Sequence, residues 1–177
     1  MLSSGVWLQT SLLLLTLLSK PPTSTTAGGR LSIISSISPT STGEFYMNDD
    51  VRESIRQWRA KAQSDWTTVE ILSDSKLCPT ETVCFHCQQF VEKLLKAALT
   101  LYGVEAPKTH DLRRLIQLAE PYLPELSRLV DSSDALTVHG VETRYPGDMP
   151  QVTLAEMNEL VESSKEFGKI LIPKLKG

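Results

Sequence analysis

The sequence predicts an all-α fold, an up-and-down bundle of about five helices. After Asn48, apolar residues recur at every third or fourth position, which is the period of one face of a helix. The alternation of apolar and polar residues that marks a half-buried strand does not occur in this part of the sequence. Short connections containing Gly or Pro separate the helical stretches, and such connections favour antiparallel neighbours.

The first 46 residues differ from the rest of the chain. An apolar run from Leu12 to Leu18 is followed by a stretch rich in Ser and Thr without a helical period, which predicts a disordered tail. The run is too short to cross a bilayer as a helix, and it resembles a signal-peptide core that lacks a preceding Lys or Arg. We therefore expect a tail over 1–46 and a helical domain over 47–177, with Met47 as the natural start; secretion is the alternative.

The composition limits the classes of function. The chain has 177 residues, enough for one domain, and its 18 Lys+Arg against 21 Asp+Glu give a net charge of −3. That balance argues against general binding to nucleic acid, which usually requires a strong positive field. Three cysteines are too few for a disulfide scaffold, which indicates a reducing, cytoplasmic location.

The first predicted helix follows Asn48, which is a candidate N-cap. Its apolar stripe recurs at helical spacing and contains Ile55, Trp58, Ala62, Trp66, Val69 and Leu72. Arg52, Arg56 and Arg59 fall on one side of this helix. A solvated face is the expected role of the three arginines, and salt-sensitive binding of RNA or a partner is the alternative.

The second predicted helix runs from about Thr80 to Tyr102 and is stopped by Gly103. Glu92 and Lys96 are four residues apart, and we expect this pair on the exposed side of the helix. We also expect a local pairing of Glu92 with Lys93.

Three further helices are predicted. The third is capped at Thr109 or His110, and the fourth runs from about Pro124 to Ser132 or somewhat beyond. An irregular stretch over 138–150 follows. The last helix opens at Thr153 with Glu156 three residues later, the pattern of a capping box, and Pro173 is expected to end it.

Four motifs, in order, resemble those of the HEPN domains (higher eukaryote and prokaryote nucleotide-binding). The second helix, CFHCQQFVEKLLKAAL, is similar to the family's helix with an aromatic-His-x-Gln-Gln core before Glu-Lys-x-Leu-Lys. KTHDLRRL over 108–115 resembles the helix-opening motif, and Arg144-Tyr145-Pro146 resembles the loop before the final helix. The first helix, with Trp58 and Asp65-Trp66, is also similar.

This resemblance implies nucleotide or RNA chemistry. Members often form homodimers and are often encoded beside a minimal nucleotidyltransferase as toxin–antitoxin pairs. Active members are metal-independent ribonucleases in which an Arg precedes a His by four to six intervening residues; the His serves as acid or base and the Arg stabilises phosphate charge. Here no Arg lies five to seven residues before His86, His110 or His139. The departure argues against ribonuclease activity of that type and favours a non-catalytic binding module.

Four residues are candidates for phosphate binding: Lys108, His110, Arg144 and Tyr145. Lys108 and His110 stand at a helix start, where backbone N–H groups can help to hold an anion; helix capping with solvated charge is the favoured alternative. An Arg in a loop can grip phosphate while Tyr stacks on a base, or both can pack in a turn. A ribonuclease with a relocated pair, Arg144 with His139 or His110, is the second functional hypothesis.

No metal or cofactor is expected. Cys78, Cys84 and Cys87 invite a zinc interpretation, but structural zinc usually draws its ligands from two separated segments, and one helical turn cannot surround the ion. Core packing of the thiols is the preferred interpretation. The sequence contains no P-loop and no GxGxxG motif.

Overall fold

A computed structural model describes residues 48–141 and 151–176. The described residues form five α-helices and one 3-10 helix, without strands, so the all-α bundle is confirmed. The helices are α1 (Asp49–Ser73), α2 (Thr80–Leu101), α3 (Leu112–Ala119), α4 (Val130–Val141) and α5 (Leu154–Lys174), and a 3-10 helix (Pro124–Leu129) leads into α4. The predicted tail over 1–46 lies outside the described residues, and so do Arg144 and Tyr145.

Local capping explains where most helices begin. Asn48 Oδ1 accepts a hydrogen bond from the Asp50 backbone N–H at 3.1 Å, which confirms the predicted N-cap of α1. Thr153 and Glu156 form the predicted capping box of α5, since each side chain accepts a hydrogen bond from the other's backbone N–H. Just after the C-terminal end of α2, Gly103 adopts a φ of 70°, a left-handed conformation that glycine tolerates without steric cost.

Helix α2 is the central element of the fold. It packs against α1, α3, α4 and α5. The six consecutive residues from Leu94 to Leu99 are all buried, and six residues cover more than one full turn. Neighbouring elements therefore cover α2 on every side along this stretch.

The position of α2 corrects the prediction for Glu92 and Lys96. These residues are only 4% and 8% exposed, not on a solvated face. The predicted pairing of Glu92 with Lys93 is also wrong, because Glu92 binds Lys96 while Lys93 binds Asp65 of α1. Amphipathic spacing predicts one buried face, but α2 has neighbours on the polar face as well.

Three helix bounds also differ from the predictions. The N-cap of α3 is Asp111, whose side chain accepts from the Arg114 N–H at 3.1 Å, rather than Thr109 or His110. The stretch predicted to be irregular from residue 138 is still helical to Val141. Helix α5 continues through Pro173 to Lys174: Pro173 has no N–H to donate, but the Leu175 N–H still donates to the Leu171 carbonyl at 3.2 Å.

None of the helices in the described part of the chain combines the length and the apolar character needed to span a bilayer.

Candidate functional site

A buried carboxylate organises the polar residues between α2 and the start of α3. We call this group the Glu92 cluster; it consists of Glu92, Gln88, Lys96 and His110. Glu92 Oε1 accepts from Lys96 Nζ at 2.7 Å, and Glu92 Oε2 accepts from Gln88 Nε2 at 2.9 Å. His110 Nδ1 lies 3.0 Å from the same Oε2. Three donors thus satisfy one carboxylate that solvent hardly reaches.

These donors decide the charge of Glu92. Burial raises the pKa of Glu92, but hydrogen bonds from Lys96, His110 and Gln88 lower it, and the net result is a pKa below the ordinary value of 4.5. The carboxylate is therefore ionised at neutral pH and can only accept hydrogen bonds. It follows that His110 Nδ1 is protonated and that this N–H donates a hydrogen bond to Glu92 Oε2.

The orientation of His110 has a chemical consequence. The side chain of His110 is 67% exposed although its Nδ1 is bound to a buried group. With Nδ1 protonated, the neutral ring keeps Nε2 as an acceptor, and the protonated ring presents Nε2–H as a donor. Gln88 Nε2 also donates to the His110 backbone carbonyl at 3.1 Å, which fixes the backbone of the same residue. The imidazole ring of His110 is thus fixed in one orientation by Glu92, although it is exposed at the protein surface.

Two of the backbone N–H groups at the start of α3 already have partners within the protein. The Leu112 N–H donates to Thr137 Oγ1 at 3.3 Å, and the Arg114 N–H donates to Asp111. Arg113 forms a two-point ion pair with Asp134, with Nε 2.9 Å from Oδ1. Asp111 therefore caps this helix, in place of the predicted Thr109 or His110. An anion here would meet Lys108, which is exposed, and His110.

A second buried carboxylate joins α1 to α2. Asp65 of α1 is 8% exposed, and its Oδ1 lies 2.9 Å from His86 Nδ1. Its other oxygen accepts from Lys93 Nζ. We call Asp65, His86 and Lys93 the Asp65 cluster. Beside it the rings of Trp66 and Phe90 pack at a centroid distance of 4.9 Å.

The two clusters contain residues that sequence reasoning missed as a site. Trp58 lies below Lys96, with 5.7 Å between Nζ and the ring centroid, within the range of a cation–π contact. His86, Gln88, Gln89, Glu92, Lys93 and Lys96 all belong to the motif of α2 that was quoted above, and each of them hydrogen-bonds within or beside these clusters. A usable signal was the spacing of 88, 92 and 96, which puts three polar residues in one row along the helix.

The thiols of α2 are part of the core. Cys84 and Cys87 are fully buried, which confirms that they pack as small apolar groups. Burial raises the pKa of Cys84 to about 11 and that of Cys87 to about 12. Cys78 is half-buried and lies 3.6 Å from the sulfur of Met157.

One comparison with known protein families found a match. A sequence model described as the HEPN domain matches residues 55–174, more than half of the chain. No curated protein and no solved structure matched the chain in the same comparisons.

Proposed function

Since this chain belongs to the HEPN domain family, we propose that it is a non-catalytic module that binds the phosphate of a nucleotide or of RNA. Lys108, His110, Arg144 and Tyr145 form the proposed binding surface. The proposal rests on one observation: the imidazole of His110 is exposed, and a buried, ionised Glu92 fixes its orientation. A donor that is already oriented loses little entropy when it binds a phosphate oxygen.

The last described residues before the predicted loop lie beside the Glu92 cluster. Gly140, near the end of α4, packs directly against Gln88, and Gln88 in turn binds the backbone of His110. Arg144 and Tyr145 follow Gly140 by only four and five residues in the sequence. The chain therefore enters the segment that carries them from a point beside the Glu92 cluster, which supports a single surface for all four residues.

Binding of ATP and of single-stranded RNA, followed by calorimetry or fluorescence anisotropy, tests the proposal. We expect His110→Ala and Arg144→Ala each to weaken binding about tenfold, the effect of losing one charge-assisted hydrogen bond. Lys76→Ala is the matched control, since Lys76 is exposed in the connection between α1 and α2. If wild type and Arg144→Ala both fail to bind either ligand, the module has a structural, oligomerising role instead.

A metal-independent ribonuclease is the second candidate, because the Glu92–His110 pair is the arrangement that orients a general acid or base. Incubation of the pure protein with RNA in the presence of a chelator separates the two functions. Cleavage that disappears in His110→Ala or His139→Ala would establish the ribonuclease and overturn the binding module. The missing Arg before each His favours the absence of cleavage.

The family suggests partners for this module. We propose that the chain forms a homodimer in a cytoplasmic compartment and pairs with a minimal nucleotidyltransferase in a toxin–antitoxin-type system. Three free thiols support the reducing location. A gene for such an enzyme next to the gene of this chain, together with light scattering of the purified protein, tests the pairing and the dimer.

A further inference from the structure

A cleft with a volume of about 280 Å³ lies where α1 begins and where α2 and α5 end. Its apolar lining comes from Ile55, Leu101 and Leu175. The other lining residues are charged, and five of them are cations: Arg52, Arg56, Arg59, Lys174 and Lys176. Asp49 is the one acid in the lining. We call this feature the basic cleft.

The cations of the basic cleft are only partly neutralised by their neighbours. Arg56 pairs with Glu53 at 2.5 Å, and Lys174 pairs with Glu125 at 2.9 Å. Within the described ranges, no hydrogen bond or ion pair engages the side chain of Arg52 or Lys176, and both are exposed. Even if Asp49, Glu53 and Glu125 each cancel one cation, the cleft keeps a net positive charge. The chain as a whole is acidic, so this positive field is local.

One arginine of the cleft is fixed in place. Arg59 Nη1 donates to the backbone carbonyl of Leu175 at 3.0 Å and so ties the end of α5 to α1. A guanidinium has five N–H groups in a planar fork, and this bond uses one of them. The remaining donors can serve an anion without a large loss of side-chain entropy.

The size and charge of the cleft indicate its ligand. Pockets for drug-sized molecules usually measure ~300–1,000 Å³, so this cleft holds small charged groups better than a whole organic ligand. Several convergent Arg and Lys side chains match the clustered oxygens of phosphate groups, which Arg binds in a two-point geometry. A peptide carboxylate offers a single charge and would leave most of these cations unpaired.

We propose that the basic cleft is a second anion site, which binds neighbouring phosphate groups of a nucleotide polyphosphate or of an RNA strand. It is separate from the surface around His110. Glu92, which holds His110, and Leu101, which lines the cleft, are nine residues apart on α2, or about 14 Å along the helix axis. The cleft site therefore does not depend on the function proposed above for Lys108 and His110.

Calorimetry with inorganic tripolyphosphate tests the cleft directly, because this probe has neither a base nor a sugar. We expect wild-type binding that weakens with added salt, and a loss of at least tenfold in Arg52→Glu and in Lys176→Glu. Lys76→Glu makes the same change in net charge at an exposed site beyond the other end of α1, and should change affinity less than twofold. Circular dichroism will verify the fold of each variant. The fold of Arg52→Glu is expected to persist, because a negative charge near the start of α1 interacts favourably with the helix dipole.

Two results would overturn the site. One is no binding of tripolyphosphate by wild type; the other is an equal loss of affinity in Arg52→Glu and Lys76→Glu, which would reveal only a diffuse positive field.

ATP and a single-stranded oligouridylate distinguish the sources of phosphate. Tighter binding of the oligonucleotide at equal phosphate concentration identifies the strand, and equal or tighter binding of ATP identifies the free nucleotide. If His110→Ala leaves nucleotide binding unchanged while Arg52→Glu abolishes it, the function proposed for His110 fails and the cleft stands.

Discussion

Gly140 of α4 lies so close to Gln88 of α2 that a β-carbon added to the glycine would be 2.4 Å from the Gln88 Cβ. Real side chains do not approach to this distance, so the contact requires glycine. This contact bears on the candidate site, because Gln88 donates hydrogen bonds to both Glu92 and the His110 carbonyl. The packing of α4 therefore positions the residues that hold His110.

Gly140→Ala should destabilise the fold in spite of the better helix propensity of alanine. Overpacking costs ~1–3 kcal/mol, and alanine in a helix interior returns up to ~1 kcal/mol, so we expect a net loss of about 1 kcal/mol in the free energy of unfolding. Gly168→Ala in α5 is the control, because the nearest atoms to its new Cβ would be the outer edge of the Phe90 ring at 3.3 Å and Ile172 Cδ1 at 3.6 Å. Urea denaturation measures both. Equal stability of Gly140→Ala and wild type would show that α4 can move away from α2 without cost.

Glu92→Gln should cost about 3 kcal/mol, the usual effect of removing one partner from a buried ion pair. The change leaves the Lys96 ammonium, whose side chain is 10% exposed, without an anion within reach. Glu162→Gln removes an exposed carboxylate that pairs with Lys165 at 2.6 Å, and we expect no measurable loss there. Chemical denaturation of the two variants gives the comparison. A similar effect of both substitutions would contradict the buried role of Glu92.

The stability of the protein should fall in acid partly through Glu92. Its folded-state pKa lies below the ordinary value of 4.5, so between these values the unfolded chain binds more protons than the folded one. The stabilisation is present above pH 4.5 and is lost as the pH falls through the folded-state pKa. Other carboxyls, such as Glu125 and Glu156, also have lowered pKa values, and Glu92→Gln retains their contribution. Unfolding free energies measured from pH 7 to pH 3 should therefore decline more steeply for wild type than for Glu92→Gln.

Asp65→Asn should loosen the contact between α1 and α2, at a cost of about 2–3 kcal/mol, since Lys93 and His86 lose their carboxylate. The double variant Asp65→Asn with Lys93→Met also removes the unpaired ammonium. We expect it to be more stable than the sum of the two single losses predicts, and the double-mutant cycle measures this coupling. Additive losses would mean that the Asp65–Lys93 contact contributes nothing as a pair.

Three of the helix ends were predictable from the sequence. Asn48, Gly103 and the Thr153–Glu156 box act through bonds to residues no more than a few positions away, so their effect is written in the local sequence. The error at α3 has a different origin, because a contact with a distant residue is involved. Thr109, His110 and Asp111 are adjacent, and the choice of Asp111 depends on the contact of His110 with Glu92, which lies 18 residues earlier.

The interior charges were not predictable in the same way. Spacing along α2 separates an apolar face from a polar row, but it does not tell how many helices surround α2. Glu92 and Lys96 are buried because α1, α3 and α4 cover the polar row, and this is a property of the tertiary structure. The same holds for the basic cleft: the helical period put Arg52, Arg56 and Arg59 together, whereas Lys174 and Lys176 join them only when α5 returns to α1.

Because the thiols of the central helix are buried, their alkylation can measure how often α2 separates from its neighbours. With pKa values of about 11 and about 12, Cys84 and Cys87 have on the order of one thiolate in 10⁴ or fewer at pH 7, and the thiolate is the form that attacks an alkylating reagent. In a Cys78→Ser background, iodoacetamide will modify the chain only when α2 separates from its neighbours. The rate of alkylation then measures how often α2 opens under native conditions. A phosphate ligand bound between α1 and α5 in the basic cleft should slow this rate.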